Sequence, residues 1–259
     1  MIGTTQLLTE SLLVPGDPIV TDGLVTRLES FNQGYGASTT QWDDLSGNNN
    51  HFTKSGNVAL TTYGGVSDVW SFTGGYFNFK RPSDNANNGF GVFNLDDYTI
   101  EIWFNFVSQY SSNATPWLWS YDYSSHSNPY YYQFMRIASY DNTYISSRNG
   151  GTGQTGDISG GNWYQTVSTR VGGSTLRGKA YINGAEVNAT ANSTRELAVN
   201  NGGYNQEAWI GRGNYGTYGG SYTSFLKGAI GIFRFYNRAL SAAEVQQNYN
   251  GNKDHFGLT

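Results

Sequence analysis

Residues 228–251, GAIGIFRFYNRALSAAEVQQNYNG, constrain this chain more than any other stretch. Ile230, Ile232, Phe233 and Phe235 read as a buried strand. Asn237 to Leu240 turn the chain, and Ser241 followed three residues later by Glu244 has the capping-box spacing of a helix N-terminus. Val245 and Tyr249, four residues apart, give that helix one apolar face. No helical pattern precedes it. An otherwise all-β chain that closes with one capped helix is a narrow class of architecture, and the helix is expected to cover the edge of the β structure.

Upstream, the chain reads as strands and turns. LVTRLES, VWSFTGGYFNF, YTIEIWFNFV, PWLWSYDY, YYYQFMRIAS, WYQTVSTRV, LRGKAYINGAEV, AWIGRG and FLKGAIGIFRFY mostly alternate with period two between Gly or Asn boundaries. Asn183-Gly184, inside KAYINGAEV, predicts a type I′ hairpin, because both residues tolerate positive φ. With this many strands and no earlier helix, 259 residues predict an all-β fold of two antiparallel sheets packed face to face, a jelly-roll sandwich. Residues 1–22, with Pro15 and Pro18 and no period, read as an arm or docking segment, and residues 23–259 as the sandwich. Segment 140–162 reads as a long surface loop or weak strands.

Composition removes several function classes. Charged residues are 13 % of the chain and the net charge is -4, so no nucleic-acid surface is expected. The absence of cysteine excludes disulfides, thiol catalysis and zinc–thiolate sites. The first residues, MIGTTQLLTESLLVPGDP, lack a basic segment followed by an apolar core, and no run of apolar residues is long enough to span a membrane. The expectation is a chain that stays in the producing cell or leaves without a signal, as in phage lysis.

Four motifs in order, WDDLSGNNNH (42–51), YTIEIWFNF (98–106), KAYINGAEV (179–187) and GAIGIFRFYNRALSAAEV (228–245), resemble the laminin-G-like, concanavalin A-like jelly-roll domains over roughly residues 22–251. TDGLVTRLES followed by WDDLSGNNNH resembles versions found in phage and marine bacterial surface proteins. The resemblance implies a fold shared by lectins, adhesion modules, glycosidases and inert spacers, so function must be argued from a site.

Three chemistries follow. Retaining glycoside hydrolysis needs two carboxylates about 5 Å apart. YTIEIWFNFV supplies only Glu101, flanked at two residues by Thr99 and Trp103, and no E-x-D-x-E pattern occurs. Glu101 therefore reads as solvent-facing or as one half of an ion pair, and the chain as a non-enzyme. The resemblance also implies calcium at a sandwich rim, with Asp43, Asp44, Asp96 and Asp97 as candidate ligands and turn formation as the competing reading. No cofactor is required by this reading. His51, His126 and His255 are scattered, which argues against zinc. Sugar recognition has the richest residue supply. Trp117, Trp119, Tyr121 and Tyr123 alternate, and so project from one sheet face, while Tyr215, Tyr218 and Tyr222 sit in a Gly-rich segment read as a surface loop. The competing reading puts the tryptophans in the core and the tyrosines against a partner subunit. Trp42, Trp70, Trp103 and Trp209 read as core.

The expected function is a non-catalytic phage virion protein, capsid- or tail-associated, that presents a glycan- or host-receptor-binding sandwich. Its partners would be a glycan or host-surface receptor, other virion proteins and a second copy of itself, with no nucleic acid and no membrane. A secreted bacterial lectin or adhesion domain is the alternative, followed by a glycoside hydrolase. A purely structural capsid decoration is also compatible with the residues.

Overall fold

The computed structural model describes residues 19–31, 33–35, 39–80, 97–107, 117–123, 133–137, 145–147, 158–171, 177–187, 206–215 and 222–259. Among them the strands are β1 (Leu24–Glu29), β2 (Gln41–Trp42), β3 (Phe52–Tyr63), β4 (Val66–Lys80), β5 (Tyr98–Phe106), β6 (Trp117–Tyr123), β7 (Gln133–Ile137), β8 (Ile145–Ser147), β9 (Trp163–Val171), β10 (Arg177–Ile182), β11 (Ala185–Val187), β12 (Gln206–Ile210), β13 (Arg212–Tyr215), β14 (Tyr222–Phe225) and β15 (Gly228–Tyr236). One helix, α1 (Ala242–Asn250), and a 3₁₀ turn, Lys253–Phe256, close the chain.

The strands form two antiparallel layers that share one long hairpin. The first layer runs β11-β10-β9-β5-β15, with β1 and the start of β4 sharing the far edge of β15. The second runs from the end of β4 through β12, β6 and β7 to β8. β4 belongs to both: residues 70–72 pair with β15, and residues 77–80 pair with β12. The crossing lies at Gly74–Gly75, opposite a register shift after Gly56 in β3. Gly74 has φ +128°, and a Cβ on Gly75 would stand 2.5 Å from Asn57 N and 2.6 Å from Ser55 O. No side chain fits there, so glycine lets the hairpin bend from one layer into the other.

Between the layers lies the main core. Ile100, Ile102 and Phe104 of β5 and Ile230, Phe233 and Phe235 of β15 meet Phe77, Trp119, Met135, Ile137, Ala208 and Ile210 of the second layer. The sandwich predicted from the alternation is therefore present. β5 and β15 are buried along all nine residues of each, because their other face is covered as well. There Trp103 and Ile232 pack on Tyr249 and Phe256, and Tyr236 and Val167 pack on Leu240, Val245 and Val20. The closing helix thus covers a sheet face, not the edge expected from sequence. Its capping box forms as read: Ser241 caps the Glu244 backbone, and the Glu244 carboxylate accepts from Ser241 N at 2.8 Å.

The Asn183–Gly184 turn has positive φ at both residues, 49° and 78°, the I′ signature. Ile145–Ser147 in segment 140–162 is a strand. Val20 is buried, and its N–H donates to Asn248 Oδ1 at 2.9 Å, so the packed unit begins ahead of the boundary at residue 22. The rest of the expected arm, residues 1–18, lies outside the described residues.

Candidate functional site

Glu101 lies beneath α1, shut off from solvent. Its Oε1 accepts from Trp103 Nε1 (2.8 Å), Gln165 Nε2 (2.9 Å) and Arg234 Nη1 (3.1 Å), and its Oε2 from Asn248 Nδ2 (2.7 Å). Arg234 also reaches Glu29 Oε1 at 2.6 Å and Asn252 Oδ1 at 3.1 Å, and Arg27 clamps Glu29 with two bonds of 2.9 Å. The solvent-facing reading of Glu101 is corrected here, and the ion-pair reading holds. Burial alone would push the Glu29 carboxyl up, but Arg234 and Arg27 outweigh it and hold it below the ordinary range. Burial likewise works against the Arg234 charge, and Glu101 and Glu29 more than restore it. The network fastens the closing helix to the sheet, and each oxygen of Glu101 is already engaged.

Of the candidate calcium residues, Asp44 is the most fully hydrogen-bonded among the described residues. Asp44 Oδ1 accepts from Arg27 N (2.8 Å) and Ser46 N (3.0 Å), and its Oδ2 from Ser46 Oγ (2.8 Å) and Asn50 N (2.9 Å). Asn48 and Asn50 each donate to Val25 O at 2.9 Å. The WDDLSGNNNH motif is therefore a loop fastened to β1, and Asp44 has no oxygen left for a cation. Asp43 accepts from Gln41 Nε2 at 2.6 Å, Asp97 is exposed, and Asp96 lies outside the described residues. Among the described residues no three His, Cys, Asp or Glu side chains gather at metal distance.

The β6 row of aromatics is also redistributed. Register pairs the Tyr121 backbone with Ala208 and Trp119 with Ile210, and Trp119 is fully buried in the core. Trp119 is thus corrected from sugar platform to core. For Trp117, Tyr121 and Tyr123 only the backbone is described. The Gly-rich segment is not wholly a loop: β13 and β14 form a hairpin in which Tyr215 and Tyr222 are cross-strand partners, again by backbone only. Tyr218 lies outside the described residues. Trp42, Trp70 and Trp103 are buried as read.

A different cluster occupies the outward face of the second layer. Asn78, Trp209 and Ser120 form one cross-strand row there, opposite in parity to the core row Phe79–Ala208. Gly211, with φ +81°, turns the chain out of β12 into the β13–β14 hairpin. Gly211 N donates to Leu118 O (3.0 Å), Leu226 N to Gly211 O (2.8 Å) and Ser120 Oγ to Arg212 O (2.7 Å), so the hairpin is fastened to the sheet. The Arg212 guanidinium then lies 4.6 Å from the Tyr76 ring centre and 5.4 Å from that of Trp209. Tyr76 stacks on Phe225 at 6.3 Å and 21°. Tyr76, Asn78, Arg212 and Phe225 are half-buried, and Trp209 is buried beneath them. Trp209 Nε1 and Arg212 Nε meet no hydrogen-bond partner among the described residues. A ring face flanked by a cation and an amide can stack on the apolar side of a pyranose and hydrogen-bond its hydroxyls. Sequence reading missed Tyr76, Asn78, Arg212 and Phe225. The available signal was a lone arginine between glycines after an aromatic strand, in AWIGRG.

This sandwich with a helix-covered face defines a class, and the sequence match states it: the chain belongs to the laminin G-type branch of the concanavalin A-like lectin/glucanases superfamily, matched over residues 73–246. No curated protein matches the chain. Among solved structures, Trypanosoma rangeli sialidase in complex with 2,3-difluorosialic acid is 16 % identical, with TM-score 0.62, over 93 % of this chain and 35 % of the sialidase. Domain 4 of AbnA, a GH43 extracellular arabinanase from Geobacillus stearothermophilus, in complex with arabinotriose, is 18 % identical, with TM-score 0.56, over 87 % of this chain and 98 % of that domain. The binding domain of botulinum neurotoxin DC, in complex with rat synaptotagmin II, is 14 % identical, with TM-score 0.56, over 89 % and 52 %. The chain spans about a third of the sialidase, and identities this low speak for the fold alone.

Proposed function

We propose that this chain is a non-catalytic recognition module of a phage virion surface, and that it binds glycan on the outward face of β4, β12 and β6. The observation that carries the glycan reading is the half-buried Tyr76–Arg212–Phe225 cluster over Trp209. Glycan complexes among the structural neighbours support it as analogy. The virion assignment rests on the charge-poor polar composition and on the resemblance of the first strand and the WDDLSGNNNH loop to phage-type versions.

A glycan array with the purified chain, run with calcium and again with chelator, tests the first half. Binding to a coherent set of glycans is expected, with Tyr76→Ala abolishing it while the melting curve is retained. Chelator sensitivity would add calcium to the site. Absence of binding in both conditions would remove the lectin reading and leave a structural role. The virion half predicts that a chain starting at Ile19 folds but is not incorporated into particles. Normal incorporation would sink it.

A second reading, an accessory domain of an extracellular carbohydrate-active protein, is favoured by the near-complete coverage of the arabinanase domain. It predicts the same sugar binding without particle association. Turnover of a polysaccharide panel would overturn the non-catalytic assignment.

A further inference from the structure

Taking the outward cluster as a glycan site, we infer that its ligand carries an anionic substituent on the sugar ring and that Arg212 is the counter-ion. Among the described side chains, the other arginines meet carboxylates or lie sealed in the core. Arg27 meets Glu29, Arg234 meets Glu29 and Glu101, and Arg238 meets Asp22 and Glu244. Arg170 is fully buried over the Tyr98 ring and is out of a ligand's reach. Arg212 is half-buried, and no carboxylate meets it among the described residues.

What holds Arg212 is aromatic. Its guanidinium lies over Tyr76 and Trp209, and its buried Nε has no acceptor among the described residues. Ring faces fix the plane of the fork without using its hydrogen bonds. A guanidinium is donor-only; its Nε and the Trp209 indole N–H beneath it are buried, so a ligand would meet the Nη end of the fork. The group that satisfies a pre-oriented, donor-only fork best is an acceptor-only anion that engages it bidentately. A neutral hydroxyl would leave the charge without a counter-ion among the described residues. The same geometry suits a ring carboxylate, as in a uronic acid, or a ring sulfate.

The surroundings argue for local recognition over general attraction to polyanions. The chain is acidic overall, with net charge -4, and Arg212 belongs to no basic patch among the described residues. Asn78, half-buried on the same face, supplies an acceptor and donors for neighbouring hydroxyls.

The test is an array of carboxylated, sulfated and neutral oligosaccharides, followed by titration of the best binder and of its carboxyl-reduced or desulfated form. Binding is expected in the anionic sets, and neutralising the ligand should weaken it tenfold or more. Arg212→Gln should cost the same factor for the anionic ligand and nothing further for the neutral one, with an unchanged melting curve. Arg212→Lys, which keeps the charge and loses the fork, should fall between them. The carboxylated and sulfated sets tell which anion is read. Hits confined to neutral glycans, or anionic binding that survives Arg212→Gln, would overturn this inference and leave the glycan reading standing. No binding by the parent chain to any set would overturn both.

Discussion

Arg234 stands between Glu29 and Glu101 with its side chain fully buried, so removing it strands two carboxylates beneath α1. Arg234→Met is expected to cost roughly 3–5 kcal/mol, read as a drop in the urea midpoint, since a broken buried pair leaves uncompensated charge. Acid acts on the same residues. Glu29 is held below the ordinary carboxylate range, and Glu244 is lowered to about 2, first by its hydrogen bonds to Arg238 and then by Ser241. A carboxyl depressed in the folded state contributes stability that is present above its unfolded value and lost as pH falls toward its folded one. Melting temperature should therefore decline from about pH 4.5 downward, and Glu244→Gln should flatten the part of that decline reaching toward pH 2. A melt series from pH 7 to pH 2 on both chains checks it. These residues also show what sequence can carry. Ser241 with Glu244, and Val245 with Tyr249, are local and were legible. Apart from Trp103, the partners of Glu101 lie 64, 133 and 147 residues away, so nothing in the local sequence announces them.

Strands and turns were legible in kind, less so in facing. Alternation in β6 leaves open whether Trp119 faces inward, because that depends on pairing with β12, which period two cannot reveal. The same gap hid the cluster at Tyr76 and Arg212. Their meeting needs β4 beside β12 and the hairpin β13–β14 folded back, and that course is set at Gly211. A Cβ there would stand 2.5 Å from the Phe72 ring, at a φ of +81° that side chains avoid. Gly211→Ala is expected to destabilise the fold by about 1–3 kcal/mol. It should also weaken glycan binding beyond Asn78→Ala, because the shift moves the whole hairpin. Paired melting and titration of the two variants would show this, and equal binding losses would mean that the hairpin is not what positions Arg212.

On the scale of the whole molecule, the two layers are unlike on their outer sides. One is sealed by α1 and the 3₁₀ turn, with Val20 pinned to Asn248. The other carries the stacked aromatics. A chain starting at Ile19 should melt as the full chain does, whereas one starting at Leu24 loses Val20 from its apolar cluster and should melt lower; differential scanning calorimetry of the pair decides it. The sealed side has a directional consequence. Val20 and Phe256 both pack on the helix-covered side, whereas Arg212 lies on the outer side of the other layer. A contact made at Val20 or at Phe256 therefore meets the sandwich from behind the aromatic face.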